Sequence, residues 1–209
     1  MSSRLCFIQS VKRARPLIPF TAVLLAGGRS RRMGRDKATV DLGGKALWQH
    51  QLETLQAVGP GEIFVSGPTD GPYAGCRVVS DEHPGLGPLA GLSVALKQAG
   101  HELVFVLAID LPLMTSEFVL ELLGEAAEKH CGIVPAELGR FHPLAAVYPR
   151  DCLGLVNERL HSEDRAMQRF VRIGLERGLL RERPLTAKEA ALFENINTPE
   201  DLRRLGIKG

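Results

Sequence analysis

Three short segments of this 209-residue chain carry side chains suited to handling phosphate. The first reads Leu25-Ala26-Gly27-Gly28-Arg29-Ser30-Arg31-Arg32-Met33-Gly34-Arg35-Asp36-Lys37. Residues 29–37 hold five basic side chains and one acid, a local charge of +4. Adjacent glycines permit a sharp turn and leave backbone N–H groups uncovered. Successive N–H groups in such a turn make a concave anion site. Those donors would fix the geometry of a polyphosphate, while the flexible ammonium of Lys37 follows charge as it develops. The string is neither GxxxxGK[ST], since Gly34 is wrongly spaced from Lys37 and Ala38 follows it, nor GxGxxG. An exposed basic loop would explain the glycine pair alone. The whole string after an apolar run favours phosphate binding.

The second segment ends at Asp110, just past residues 103–109, the most hydrophobic stretch of the chain. A carboxylate at the end of a buried strand is rigidly held. Magnesium takes one or two protein carboxylates and fills its remaining positions with water and phosphate oxygens. A lone aspartate therefore suffices when the substrate brings the phosphates. Asp110 reads equally as a loop or N-cap aspartate ahead of a helix starting near Thr115. The third segment is Ser80-Asp81-Glu82-His83-Pro84-Gly85-Leu86-Gly87-Pro88-Leu89-Ala90-Gly91. Asp81 could accept hydrogen bonds from a base or ribose, or support a metal. Gly85, Gly87 and Gly91 would let the backbone approach a flat ligand. The same residues also suit a plain strand-to-helix turn, with His83 a loop histidine.

The elements that must position these segments follow from hydrophobic periodicity. Residues 20–26 form a short uncharged run that predicts a buried parallel strand. Strands are also expected over 62–66, 77–80, 103–109, 133–134 and 144–148. Apolar stripes predict helices through Trp48, Leu52 and Leu55; through Leu89, Leu92, Leu96 and Ala99; and through Val119, Leu122, Leu123 and Ala126. Residues 151–178 read as polar and helical, with arginines recurring on one side. A last helix opens at Thr198-Pro199-Glu200-Asp201, with Thr198 as its N-cap. Alternating strands and helices predict one α/β domain, a three-layer α/β/α sandwich with a mainly parallel, Rossmann-like sheet. In such sheets ligands bind beyond the carboxyl ends of the strands, where all three loaded segments fall.

Composition narrows the field further. Hydrophobic residues are 44% and charged residues 24%, which excludes disorder, collagen-like repeats and coiled coil. The longest apolar run is seven residues, at 103–109, against the ~20 of a membrane helix. The net charge of +2 hides an uneven distribution. Residues 1–19 contain Arg4, Lys12, Arg13 and Arg15 and no acid, and are expected to be a flexible basic extension ahead of a domain over 20–209. The apolar core of a secretory signal is interrupted at residues 11–15, and helical periodicity of a mitochondrial presequence is lacking. Beyond residue 20 the chain holds 22 basic and 24 acidic side chains, so positive potential is focused at residues 29–37. That pattern suits a small triphosphate, whereas a nucleic acid would need a broad basic face. The four cysteines (Cys6, Cys76, Cys131, Cys152) form no CxxC or zinc-like cluster, as expected of free thiols in a cytoplasmic protein.

Taken in order, these residues resemble the nucleotidyltransferases of the molybdenum cofactor pathway. The segment from Leu25 to Lys37 is similar to that family's LAGGxSxRMGxDK signature. Asp81 matches a strand-ending aspartate before a Pro/Gly-rich turn, and Pro88 to Leu92 matches the family's PLAG pattern. Asp110-Leu111-Pro112 resembles its D-x-P metal site, and Arg140-Phe141-His142-Pro143 a later strand with a His-Pro pair. Asn195-Ile196-Asn197-Thr198-Pro199-Glu200-Asp201-Leu202 resembles its C-terminal NxNTPEDL. Leu-Ala-Gly-Gly is similar to the guanylyl-transferring branch; the cytidylyl branch usually reads Leu-Ala-Ala-Gly. The resemblance implies a sheet of the nucleotide-diphospho-sugar transferase type. It implies GTP contacts from Leu25, Ala26, Gly27, Lys37, Asp81 and Asp110, with Mg²⁺ on Asp110 and with Lys37 and Asp110 catalytic. One departure is Ser66, where the family often has asparagine, so Ser66 is left outside the expected site.

The reaction so implied is transfer of GMP from GTP to the terminal phosphate of molybdopterin-bound molybdenum cofactor, with release of pyrophosphate. A phosphate nucleophile is already ionised at pH 7, so no general base is needed. Between residues 159 and 183 seven arginines (Arg159, Arg165, Arg169, Arg172, Arg177, Arg181, Arg183) face four acids, and read equally as acceptor ligands or a solvated surface. His142 reads as a cleft or a structural histidine. Transient contacts with other cofactor-biosynthesis proteins and with recipient molybdoenzymes are expected; nucleic acid and membrane are not. The alternatives are a cytidylyltransferase on the same cofactor, a nucleotidyltransferase acting on another phosphorylated small molecule, and a GTP-binding module without turnover.

Overall fold

The computed structural model describes residues 18–27, 37–80, 85–196 and 201. The basic extension up to residue 17, the loop 28–36, Asp81 to Pro84 and the start of the last expected helix at 197–200 lie outside them. Eight strands form one sheet: β1 (Phe20–Leu25), β2 (Glu62–Ser66), β3 (Val78–Val79), β4 (Leu103–Ala108), β5 (Gly132–Glu137), β6 (Arg140–Phe141), β7 (Ala145–Pro149) and β8 (Leu180–Pro184). Their spatial order is β3-β2-β1-β4-β7-β5, with β6 and β8 also paired to β5. β3, β2, β1 and β4 are mutually parallel. β7 runs antiparallel to both β4 and β5, and β8 runs parallel to β5. The sheet is thus mainly parallel, as its apolar strands predict.

The helices are α1 (Leu47–Val58), α2 (Pro88–Gln98), α3 (Ser116–Lys129), α4 (Cys152–Leu160), α5 (Met167–Glu176) and α6 (Ala187–Ala190). Alternate residues of β1 feed two cores. Phe20, Ala22 and Leu24 pack with Leu47 and Leu55 of α1 and Phe118 and Leu122 of α3. Val23 and Leu25 pack with Leu92 and Leu96 of α2, Val156 of α4 and Phe170 of α5. Three layers result, because a strand buried on both faces needs helices on both. Gly132 is required where β5 meets β7: a Cβ there would lie 2.8 Å from the Val147 carbonyl oxygen.

Residues 151–178 divide into two helices rather than one. Ser162 and Asp164 break them apart, the Ser162 hydroxyl donating to the Arg159 carbonyl at 2.8 Å and Asp164 Oδ1 accepting from Ala166 N at 3.0 Å. Sequence periodicity also missed β6, β8 and α6. β8 reads Leu-Arg-Glu-Arg-Pro, and its outward charges and terminal proline suit a sheet edge that must not pair further. Arg183 in that strand binds Glu121 and Glu125 of α3 and Glu189 of α6, with its guanidinium 4.7 Å above the Phe118 ring.

Candidate active site at the carboxyl ends of β1 and β4

Leu25 and Ala108, the last residues of β1 and β4, are register partners. The ladder continues one step past each. Ile109 N donates to the Leu25 carbonyl at 3.1 Å, and Ala26 N donates to the Ser66 carbonyl at 2.9 Å. Both segments therefore leave the sheet at one level and in fixed directions. Leu25 is buried, Ala26 half-buried and Gly27 exposed. Among the described residues, a Cβ on Gly27 would meet only the Ser66 carbonyl oxygen, at 3.9 Å. Among the described residues, nothing crowds the chain where it leaves the sheet.

Lys37 starts a short 3₁₀ turn whose next residue, Ala38, is fully buried and anchors it. This anchoring brings Lys37 Nζ to 3.5 Å from Asp110 Oδ2. The two side chains are 18% and 25% exposed, shielded from bulk water yet reachable. Asp110 is not the cap of the following helix. Thr115 takes that role, its Oγ1 accepting from Phe118 N at 3.3 Å. The carboxylate is thereby left for other work.

The turn after β4 is held from outside the sheet. Gln51 Nε2 lies 2.6 Å from the Leu111 carbonyl, His50 Nε2 lies 3.0 Å from the Pro112 carbonyl, and Ile196 N donates to the Asp110 carbonyl at 3.0 Å. None of these three was singled out from sequence. The available signal was a glutamine standing inside the apolar stripe of Trp48, Leu52 and Leu55.

Leu25, Ala26, Gly27, Lys37 and Asp110 thus gather at one mouth of the sheet; Asp81 falls outside the described residues. Ser66 is buried at the end of β2, and its backbone, not its hydroxyl, is what fastens Ala26. A hard carboxylate beside an open mouth fits a magnesium ion, whose other ligands would be water and phosphate oxygens. The described residues contain no group of three or more His, Cys, Asp and Glu arranged to hold a metal by themselves, so phosphate would have to complete the shell.

His142 sits between β6 and β7, where the Leu144 carbonyl accepts from Ala108 N at 2.7 Å and joins this segment to the end of β4. Its ring lies 4.3 Å from that of Phe193. Burial, and then the Arg140 charge, hold its pKa below the ordinary histidine value. Below about pH 6.5 the unfolded chain takes up a proton that the folded imidazole resists, so stability declines as pH falls through that value. Thermal unfolding followed from pH 7 to pH 5 should show a falling Tm, with a flatter profile in His142→Phe. An identical slope in the variant would show that His142 is not the source.

Four of the seven arginines have partners. Arg159 binds the Asp164 carbonyl, Arg165 Nε donates to the Leu160 carbonyl at 2.9 Å, Arg177 is bidentate on Glu158, and Arg183 is tied as above. Arg169, Arg172 and Arg181 are exposed. Gln168 clasps the backbone of Phe141, accepting from its N–H at 3.1 Å and donating to its carbonyl at 2.8 Å. That clasp fastens the first turn of α5, where Arg169 follows Gln168, against the strand that leads into His142.

The sequence profile described as MobA-like NTP transferase domain matches residues 22–181. A relative from Opitutus terrae, named "Probable molybdenum cofactor guanylyltransferase", is 38% identical over 186 residues, covering 87% of this chain and 92% of the relative. One of the same name from Carboxydothermus hydrogenoformans is 29% identical over 186 residues, 88% of this chain and 94% of the relative. The crystal structure of molybdopterin-guanine dinucleotide biosynthesis protein A from Archaeoglobus fulgidus superposes with a TM-score of 0.71 at 28% identity, covering 88% of this chain and 95% of that one.

Proposed function

Because the chain belongs to the family of MobA-like NTP transferase domains, and is thereby a nucleotidyltransferase, we propose that it transfers GMP from GTP to the terminal phosphate of molybdopterin-bound molybdenum cofactor. Pyrophosphate is the second product. The observation that carries this reading is the meeting of Lys37 and Asp110, 3.5 Å apart across 73 residues of sequence, at the mouth where β1 and β4 end. The guanine preference rests on Leu25-Ala26-Gly27-Gly28, which has the form of the guanylyl-transferring branch.

The chief obstacle to the reaction is the approach of two anions. Asp110 would hold Mg²⁺, which when bound supplies positive charge at the α-phosphate. Lys37 is kept in place by the Asp110 carboxylate before substrate arrives, and its ammonium then stabilises the charge left on departing pyrophosphate. Leu25, Ala26 and Gly27 offer backbone to the nucleotide, and Asp81 accepts hydrogen bonds from its base or ribose. Fixing the attacking oxygen in line with the α-phosphorus supplies much of the remaining acceleration. Arg165 and Arg169 hold the anionic acceptor. Reversing both charges, Arg165→Glu with Arg169→Glu, should raise the acceptor KM about tenfold, the loss expected for a charge-assisted contact. GTP affinity should stay put; equal loss of both affinities, or of neither, would exclude this role.

The protein would act in the cytoplasm, consistent with the free thiols of Cys76, Cys131 and Cys152 among the described residues. No described helix is long and apolar enough to cross a membrane. Its labile substrate and product imply brief hand-over contacts with the enzymes before and after it. The deciding experiment offers a panel of nucleoside triphosphates with loaded molybdopterin and follows pyrophosphate. GTP should be turned over in preference to CTP. Preference for CTP would make the protein a cytidylyltransferase, and turnover with sugar phosphates in place of molybdopterin would move it to another acceptor.

A further inference from the structure

Resting on the catalytic reading of Asp110, we propose that Gln51 is a positioning residue for that carboxylate, acting with His50 to set the backbone turn from which Asp110 projects. Gln51 is fully buried on the inner face of α1. Its Nε2 lies 2.6 Å from the Leu111 carbonyl oxygen and 3.5 Å from that of Ile109. Both neighbours are acceptors, so the amide must turn its NH₂ toward them. It therefore grips the chain on either side of Asp110. His50, one residue earlier, faces the Pro112 carbonyl at 3.0 Å. A carbonyl only accepts, so His50 Nε2 carries a proton. Ile196 N approaches the carbonyl of Asp110 itself, at 3.0 Å.

The four consecutive carbonyls of residues 109–112 are thus each met by a donor from outside β4. Three of them are met by two side chains of one helix. Past Ala108 the β1–β4 register pairing ends, and these contacts take over the task of fixing the chain. Displacing a reacting group by about 1 Å is enough to slow chemistry on the order of 10²-fold. Packing does not account for the glutamine. Its Oε1 is buried with no hydrogen-bond partner among the described residues, a penalty that an apolar side chain of the same length would avoid. Methionine would remove that penalty but give up both contacts to the turn, so what sets glutamine apart is the donor it offers to the Leu111 and Ile109 carbonyls.

The test compares the full-length enzyme with Gln51→Met, which keeps length and volume but cannot donate. The lost hydrogen bonds and the relieved Oε1 offset each other in part, so Tm should stay within a few degrees of the wild type; KM for GTP should change less than about twofold, and kcat should fall about tenfold. In a Lys37→Ala background the same change should lower kcat by less than about threefold, because the two residues serve one constellation and their losses do not multiply. Wild-type kcat in Gln51→Met would overturn the proposal. So would a drop in Tm with kcat and KM moving together, or a full tenfold loss repeated in the Lys37→Ala background; either would mark a packing role. If Gln51→Met fails to fold, His50→Phe asks the same question at Pro112: lowered kcat at constant KM supports the clamp, and unchanged kcat overturns it. Near-normal turnover in Asp110→Ala would instead remove the catalytic reading, and the positioning role with it.

Discussion

Asp110→Ala should lose GTP-dependent pyrophosphate release by at least about 10³-fold, or about 4 kcal/mol of barrier, while its thermal unfolding stays within a few degrees of the wild type. The two halves of that expectation have separate grounds. The carboxylate is a quarter exposed and caps no helix, since Thr115 caps α3. The link that ties residue 110 to the rest of the fold is its backbone carbonyl, bound by Ile196 N, and alanine keeps it. What alanine removes is the hard oxygen ligand at the mouth and the partner of Lys37. Single-turnover rates at increasing Mg²⁺ make the test sharp. A variant with a near-normal rate and an unchanged response to Mg²⁺ would remove Asp110 from the chemistry.

The second large effect belongs to Lys37. Lys37→Ala should slow the chemical step on the order of 10²–10³-fold, the loss typical of deleting one donor aimed at developing charge. Binding of GTP should suffer less than kcat, because loop amides would still contact the phosphates. Lys37→Arg is not expected to restore the rate in full: a planar guanidinium lacks the compact charge that fits beside Asp110 Oδ2. Unchanged kcat/KM in Lys37→Ala would exclude the residue from the mechanism.

Much of the architecture is legible in the sequence because its central strands are buried on both faces. β1 reads as an uncharged run broken only by Thr21 and β4 as an unbroken apolar one, and the stripes of α1, α2 and α3 recur at helical spacing. The elements that escaped are those whose stability comes from elsewhere. β8 is an exposed, charged edge whose Arg183 is held by three glutamates from other elements, and β6, two residues closing a hairpin, is marked by the His-Pro resemblance but not by periodicity. The chemistry was half legible. Residue types and strand ends marked Lys37 and Asp110 separately, but no local spacing says that residues 73 positions apart will meet. Asp110 stayed ambiguous because an aspartate before a helix suits a cap as well as a ligand. The contact of Thr115 with Phe118 removes the cap reading. Gln51 was invisible as a clamp, since its partners are backbone carbonyls, which have no sequence signature.

The reversed strand β7 has a bearing on how such a site can diversify. At the shared rim, chain departs from β1, β2, β3 and β4 but arrives at β7, which runs the other way. The half of the rim read as the nucleotide side is therefore furnished by exit loops. The half beside His142 is furnished by an entry loop and by the first turn of α5, clasped through Gln168. Two sets of loops with different origins border one opening. Insertions or exchanges on the entry side could reshape what the enzyme accepts while leaving the triphosphate machinery untouched. A chimera carrying a relative's residues 138–144 and 161–169 would retain its nucleotide and change its acceptor.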